Sequence, residues 1–210
     1  MGIILEKDID NKGRIGLWAI QEQEEELLER LIFNESEQIF VDSIKNKERR
    51  MQWLASRVLL KHLLDEKSYV NVEIDNHQRP FLTNKPHSFS ISHCGNMAAV
   101  SVSQHYNTGL DIENINPKVL RIAKKYIHPD EWYAFDPTNI EQLTTAWAIK
   151  ETVYKLNGKK QVSLKDHIRI APFKGKEGKT IIKFIKPGAE SEATIYYERF
   201  GTLVIAYCFE

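Results

Sequence analysis

Two short segments hold three carboxylates at spacings that chemistry can use. Gly109-Leu110-Asp111-Ile112-Glu113 alternates apolar and acidic residues, the period of a strand. That period sets Asp111 and Glu113 on one face, roughly 7 Å apart, and turns Leu110 and Ile112 to the other. Trp147-Ala148-Ile149-Lys150-Glu151 lies in a helical pattern, and its Glu151 can bring a third carboxylate to the same point. Three oxygen donors with no cysteine and no obligatory histidine describe a hard-cation site, Mg²⁺ before Zn²⁺. Mg²⁺ held by carboxylates commonly takes phosphate oxygens as well, so the pattern points to phosphoryl chemistry. The plainer alternative is a solvated sheet face, with Glu151 pairing with Lys155 along its own helix.

The elements around these acids favour the chemical reading. Ala146, Ile149, Val153 and Leu156 recur at helical steps and form an apolar stripe that faces a core. Trp147, Lys150, Glu151, Tyr154 and Lys155 are expected on its flank, with Asn157-Gly158 ending the helix. Upstream, Phe89-Ser90-Ile91-Ser92-His93-Cys94 alternates as a strand, and Met97 to Val102 forms another after a Gly-Asn turn. His93 then stands at a strand end, a position from which a histidine can donate to an anion. Neighbouring strand residues face opposite ways, so His93 is not expected to activate Cys94. On a long helix, Arg50, Arg57 and Lys61 fall on one face with Leu54 between them. Lys118, Arg121 and Lys125 give a later helix a basic face opposite Val119, Ile122, Ala123 and Tyr126.

Taken in order, these segments resemble the Sfp-type 4′-phosphopantetheinyl transferases. That family carries F-x-I-S-H, then G-I-D-I-E, then W-x-x-K-E-x-x-x-K. Here these stand as Phe89 to His93, Gly109 to Glu113, and Trp147 to Lys155. A fourth element, usually a glycine before a basic residue and proline, appears as Gln78-Arg79-Pro80-Phe81-Leu82, with Gln78 departing from the pattern. The resemblance spans roughly residues 78–155. It implies transfer of the phosphopantetheine arm of coenzyme A to a serine of an apo acyl or peptidyl carrier protein, releasing 3′,5′-ADP. It also implies Mg²⁺ on Asp111, Glu113 and Glu151, the adenine near Arg79 and Pro80, and the pyrophosphate near Ser92 and His93. Lys155 and His93 are then donors to the pyrophosphate, and Glu151 is a candidate base. The 3′-phosphate falls to Arg50 or Arg57, and an acidic carrier to the basic face of Lys118, Arg121 and Lys125. A Mg²⁺-dependent phosphohydrolase or nucleotidyl transferase using the same acids is the alternative, but it leaves Arg79-Pro80 and Ser92-His93 unexplained.

Composition bounds the rest. The 210 residues balance 29 Lys and Arg against 29 Asp and Glu, which disfavours a nucleic-acid binder. Two cysteines argue against a disulfide scaffold and for a reducing compartment. With no long apolar run or leader pattern, a cytoplasmic monomer away from membranes is expected.

The pattern of elements predicts an α+β fold. The first half reads as a strand at residues 15–20, helices at 24–32, from 36, and at 47–64, then strands at 70–74, 88–92 and 98–102. The second reads as a strand at 109–113, helices from 117, from 129 and at 140–156, then strands at 168–171, 180–185, 193–197 and 203–208. The similar order suggests two similar α/β subdomains, residues 1–106 and 107–210, in a pseudo-twofold duplicated arrangement with the active site in the cleft between them. Coenzyme A contacts are expected from the first, the metal site and carrier docking from the second.

Overall fold

The computed structural model describes residues 2–76, 79–158, 162–186 and 188–210 of the chain, with the Lys186 side chain left aside. The chain divides into two compact units: residues 1–75 with 80–106, and residues 76–79 with 107–210. Both mix helices with antiparallel sheet, an α+β architecture. No helix among the described residues is long and apolar enough to cross a membrane.

The first unit opens with a hairpin, β1 (Ile3–Ile9) and β2 (Gly13–Ala19). Its turn uses Asp10 and Asn11 at positive φ, a backbone state that these short polar side chains tolerate. The β1 strand was not expected from sequence. Its exposure alternates with period two, but Lys7 interrupts the apolar series Ile3, Leu5 and Ile9. Helices α1 (Glu24–Leu28), α2 (Glu35–Ser43) and α3 (Lys47–Leu63) follow. α1 ends before the expected residue 32, because Arg30 and Leu31 close tight i−3 bonds to Leu27 and Leu28. A short pair, β3 (Val72–Ile74) and β4 (Pro80–Leu82), precedes β5 (Ser88–Cys94) and β6 (Met97–Ser103). The sheet order is β1-β2-β6-β5. α3 buries Leu54, Leu59, Leu60 and Leu63 in a core shared with Phe89, Ala98, Val100 and Val102. Gln78 lies outside the described residues.

The second unit contains β7 (Thr108–Asn114), α4 (Lys118–Tyr126), a 3₁₀ turn at Pro129–Glu131 and α5 (Ile140–Leu156). Strands β8 (Ile168–Ile170), β9 (Glu177–Lys186), β10 (Ala189–Phe200) and β11 (Leu203–Phe209) complete a sheet ordered β7-β11-β10-β9-β8. Asn139 caps α5, its side chain accepting from Gln142 N. At the other end Gly158 takes φ +68°, the left-handed turn that glycine permits. Leu143, Ala146, Ile149 and Val153 of α5 pack with Ile195, Val204, Ala206 and Cys208. Burial pushes the Cys208 thiol up to about 12, as suits core filler.

Candidate functional site

The acids of β7 face α5. Register pairs Gly109 with Cys208, Asp111 with Ala206 and Glu113 with Val204, so the odd positions share the side on which α5 packs. Helix and strand approach closely because residue 109 is glycine. A Cβ there would lie 2.4 Å from the Thr152 carbonyl oxygen and 3.2 Å from Leu156 Cβ. Thr152 in turn donates its hydroxyl to Ala206 O at 3.0 Å.

This approach brings Lys155 onto the strand. Its Nζ donates to Asp111 Oδ1 at 2.8 Å and to Leu110 O at 3.1 Å. Asp111 is almost wholly buried, and Lys155 partly so. Two turns earlier, Trp147 Nε1 donates to Glu113 Oε1 at 2.8 Å. Burial, then the charge of Asp111, with Glu151 adding to it, push the Glu113 carboxyl up to about 7 against the indole hydrogen bond and Lys155. Asp111 and Glu151 therefore both lie within electrostatic reach of Glu113.

The donor chemistry fits a hard dication. Glu113, with the charges of Asp111 and Glu151 raising its proton affinity, gains from a positive charge placed beside it. Among the described residues no group of three or more His, Cys, Asp and Glu side chains is gathered closely enough to hold a metal ion as it stands. The Lys155 ammonium rests on Asp111 instead.

Lys150 differs from expectation. It is fully buried rather than on the flank with Glu151 and Lys155. Its Nζ donates to Glu131 Oε2 at 2.7 Å, Tyr126 O at 2.7 Å and Ile168 O at 2.8 Å. Glu131 accepts in turn from His128 N and Ile170 N, both at 2.8 Å. Burial lowers Lys150 to about 8 while Glu131 opposes the shift. The pair ties α5 to the end of α4, the 3₁₀ turn and β8. A signal for this was present: Lys150 occupies the i+4 slot of the Ala146, Ile149, Val153 stripe.

In the first unit, His93 shares the α3-facing side of β5 with Phe89 and Ile91, while Ser90 and Ser92 are buried on the opposite side. Ser92 and His93 thus point to different faces of the sheet. Arg49, a residue that sequence reasoning passed over, is a partner of His93, with Nη1 3.3 Å from His93 Nδ1. Gln52 Nε2 fixes this end of α3 to the β5–β6 turn through Gly95 O at 2.7 Å.

The two arginines singled out from sequence are engaged elsewhere. Arg50 meets Glu24 at 2.7 Å and Asp42 at 3.5 Å. Arg57 lies over the Trp53 ring at 4.8 Å, and burial lowers it to about 10. Leu54 of the same stripe is completely buried. Arg79 sits beside the end of α5, where a Cβ on Gly158 would lie 3.6 Å from its Cδ. Pro80 opens β4 opposite Ile74. On α4, Lys118, Arg121 and Lys125 are exposed while Val119, Ala123 and Tyr126 are buried.

A curated protein named 4′-phosphopantetheinyl transferase gsp, from Aneurinibacillus migulanus, is 27% identical over 136 residues, covering 61% of this chain. The chain spans 56% of that relative's length. Residues 107–208, which hold β7, α4 and α5 with Asp111, Glu113, Glu151 and Lys155, match the family described as the 4′-phosphopantetheinyl transferase superfamily. Through this region the chain is similar to the 4′-phosphopantetheinyl transferase superfamily.

Proposed function

We propose that this protein transfers the 4′-phosphopantetheine arm of coenzyme A to a serine of an apo acyl or peptidyl carrier protein, releasing 3′,5′-ADP. The observation that carries the reading is the ion pair of Asp111 with Lys155, beside Glu113 and Glu151, inside the stretch that matches the superfamily. A cation and three acids gathered on one strand and one helix suit the handling of a pyrophosphate.

In the proposed reaction the serine Oγ attacks the β-phosphorus, and the bond from that phosphorus to the bridging oxygen breaks. The electron pair leaves with 3′,5′-ADP, and Glu151 takes the serine proton directly or through a water. Lys155 donates to the pyrophosphate, where negative charge develops. Mg²⁺, held by Asp111, Glu113 and Glu151 when bound, supplies charge neutralisation at the leaving group.

Within the first unit, we assign the 3′-phosphate to Arg49 with His93 as a second donor. Arg50 is already neutralised by Glu24 and Asp42, and Arg57 is laid against Trp53. The guanidinium fork of an exposed arginine suits paired phosphate oxygens. Arg79 and Pro80 are assigned to the adenine. The Ser92 side chain, turned to the other sheet face, is assigned no contact. The exposed cations of α4 are the proposed docking face for an acidic carrier. The proposal also takes the protein to be a cytoplasmic monomer and its two units to be related by duplication. An antiparallel sheet bearing a 17-residue helix in each unit supports the latter.

The test is one incubation of the protein with apo carrier, coenzyme A and Mg²⁺, read by intact mass. The carrier should gain one phosphopantetheine group. Cleavage of coenzyme A without that gain favours a phosphohydrolase, and an unchanged carrier with intact coenzyme A overturns the reading.

A further inference from the structure

We propose that Trp147 is a positioning residue that fixes the Glu113 carboxylate through its indole N–H. The contact is direct, Nε1 to Oε1 at 2.8 Å. The indole is itself held from α4. The Tyr126 ring meets it edge-on with centroids 5.0 Å apart. Tyr126 is fully buried, its hydroxyl donates to Leu143 O at 2.9 Å, and its carbonyl accepts from Lys150 at 2.7 Å. The direction of the N–H is therefore set by packing and not by Glu113.

Glu113 has reason to need such a donor. Asp111 and Glu151 repel its charge, and a glutamate with three rotatable bonds relieves repulsion by turning away. A directed hydrogen bond removes that freedom and occupies Oε1, leaving Oε2 for other ligands. Indole suits the task because it donates without accepting and carries no charge. A lysine in its place would neutralise the carboxylate. The inference rests on the reading that these acids hold a cation during phosphopantetheine transfer.

Trp147→Phe keeps a ring against Tyr126 and deletes the N–H. The probe is Mn²⁺ alone, titrated into the full chain without coenzyme A and followed by electron paramagnetic resonance. The dissociation constant should rise about tenfold or more, the range seen when a partner of a metal-binding carboxylate is removed. In a Glu113→Ala background, which removes the acceptor, the same change should have less than about a twofold effect. In transfer assays, kcat should fall about tenfold while KM for coenzyme A stays within about twofold. Unchanged Mn²⁺ affinity in Trp147→Phe, or an equal loss in the Glu113→Ala background, overturns the inference and leaves the cation reading standing. Wild-type protein that binds no Mn²⁺ overturns both. Independently of how Trp147→Phe folds, the Trp147 indole N–H resonance should shift and lose exchange protection in Glu113→Ala. An unmoved resonance overturns the contact.

Discussion

Replacing Lys150 by Met should destabilise the protein severely without touching any group placed at the phosphate chemistry. The side chain is fully buried and donates three hydrogen bonds, to Glu131 Oε2, Tyr126 O and Ile168 O. Methionine refills most of the volume, so the cost comes from electrostatics and not from a cavity. It leaves the Glu131 carboxylate buried with only its two backbone donors, His128 N and Ile170 N, against a full negative charge. Removing one partner of a buried ion pair costs about 3–5 kcal/mol. For a chain of this size each kcal/mol moves the midpoint by about 2–4 °C, so Tm should drop by roughly 6–20 °C. Thermal unfolding by near-ultraviolet circular dichroism reads this, with Glu131→Gln expected to lose a similar amount. The double variant should fall short of the summed single losses by about 2 kcal/mol, since neither group is then left charged and alone. A Tm within about 2 °C of wild type, or strict additivity, would refute the view of this pair as a structural tie.

Four further outcomes are expected. Asp111→Asn should abolish transfer while leaving Tm nearly unchanged, because Lys155 keeps an oxygen to bond; near-normal turnover at ordinary Mg²⁺ concentration would sink the role given to the acids. Arg49→Ala should raise KM for coenzyme A by about tenfold or more, as loss of a charge-assisted contact implies. That penalty should vanish with dephospho-coenzyme A as substrate. Reversing Lys118 and Arg121 to Glu should slow transfer to an acidic carrier, and the wild-type rate should fall with salt, while direct coenzyme A binding stays the same. Finally, Lys85 and the Ser68 backbone and hydroxyl hold Glu66 at about 2. Its folded pKa lies below the ordinary value, so its contribution is present above the usual carboxylate range and is lost as pH falls toward 2. Glu66→Gln should flatten that part of the acid unfolding curve.

Much of the second unit can be read from sequence because its signals are local. Alternation in Gly109 to Glu113 dictates which side of β7 carries the acids, and the i, i+3, i+7 stripe dictates which side of α5 meets the sheet. What escapes is the consequence of a third element. Lys150 falls in the stripe, but only the Glu131 carboxylate, 19 positions earlier, makes that burial tolerable. The basic residues of α3 show the same limit. Helical spacing groups Arg50 with Arg57, yet α1 and α2 supply Glu24 and Asp42 to one of them, and Arg49 meets β5. Charge on a helix is visible in sequence; the acid that claims it comes from distant chain. Ser92 and His93 were grouped by a motif although the pleat separates them. A strand motif names neighbours in sequence, which are the residues least able to act on the same face.

The missing methyl at residue 109 acts as a gauge block for everything mounted on α5. Restoring it would force strand and helix apart, since a Cβ 2.4 Å from a carbonyl oxygen falls about 1 Å short of ordinary contact. A helix moves as a rod, so Trp147, Glu151 and Lys155 would be displaced together, with every bond inside α5 intact. Misplacement by about 1 Å is enough to cost a reaction a hundredfold. Gly109→Ala would therefore give a protein with an ordinary helix, an ordinary sheet and all its functional groups present, but built to the wrong tolerance. Variation at this position bears on activity with no chemistry of its own, and a search for sensitive sites confined to polar side chains would pass it by.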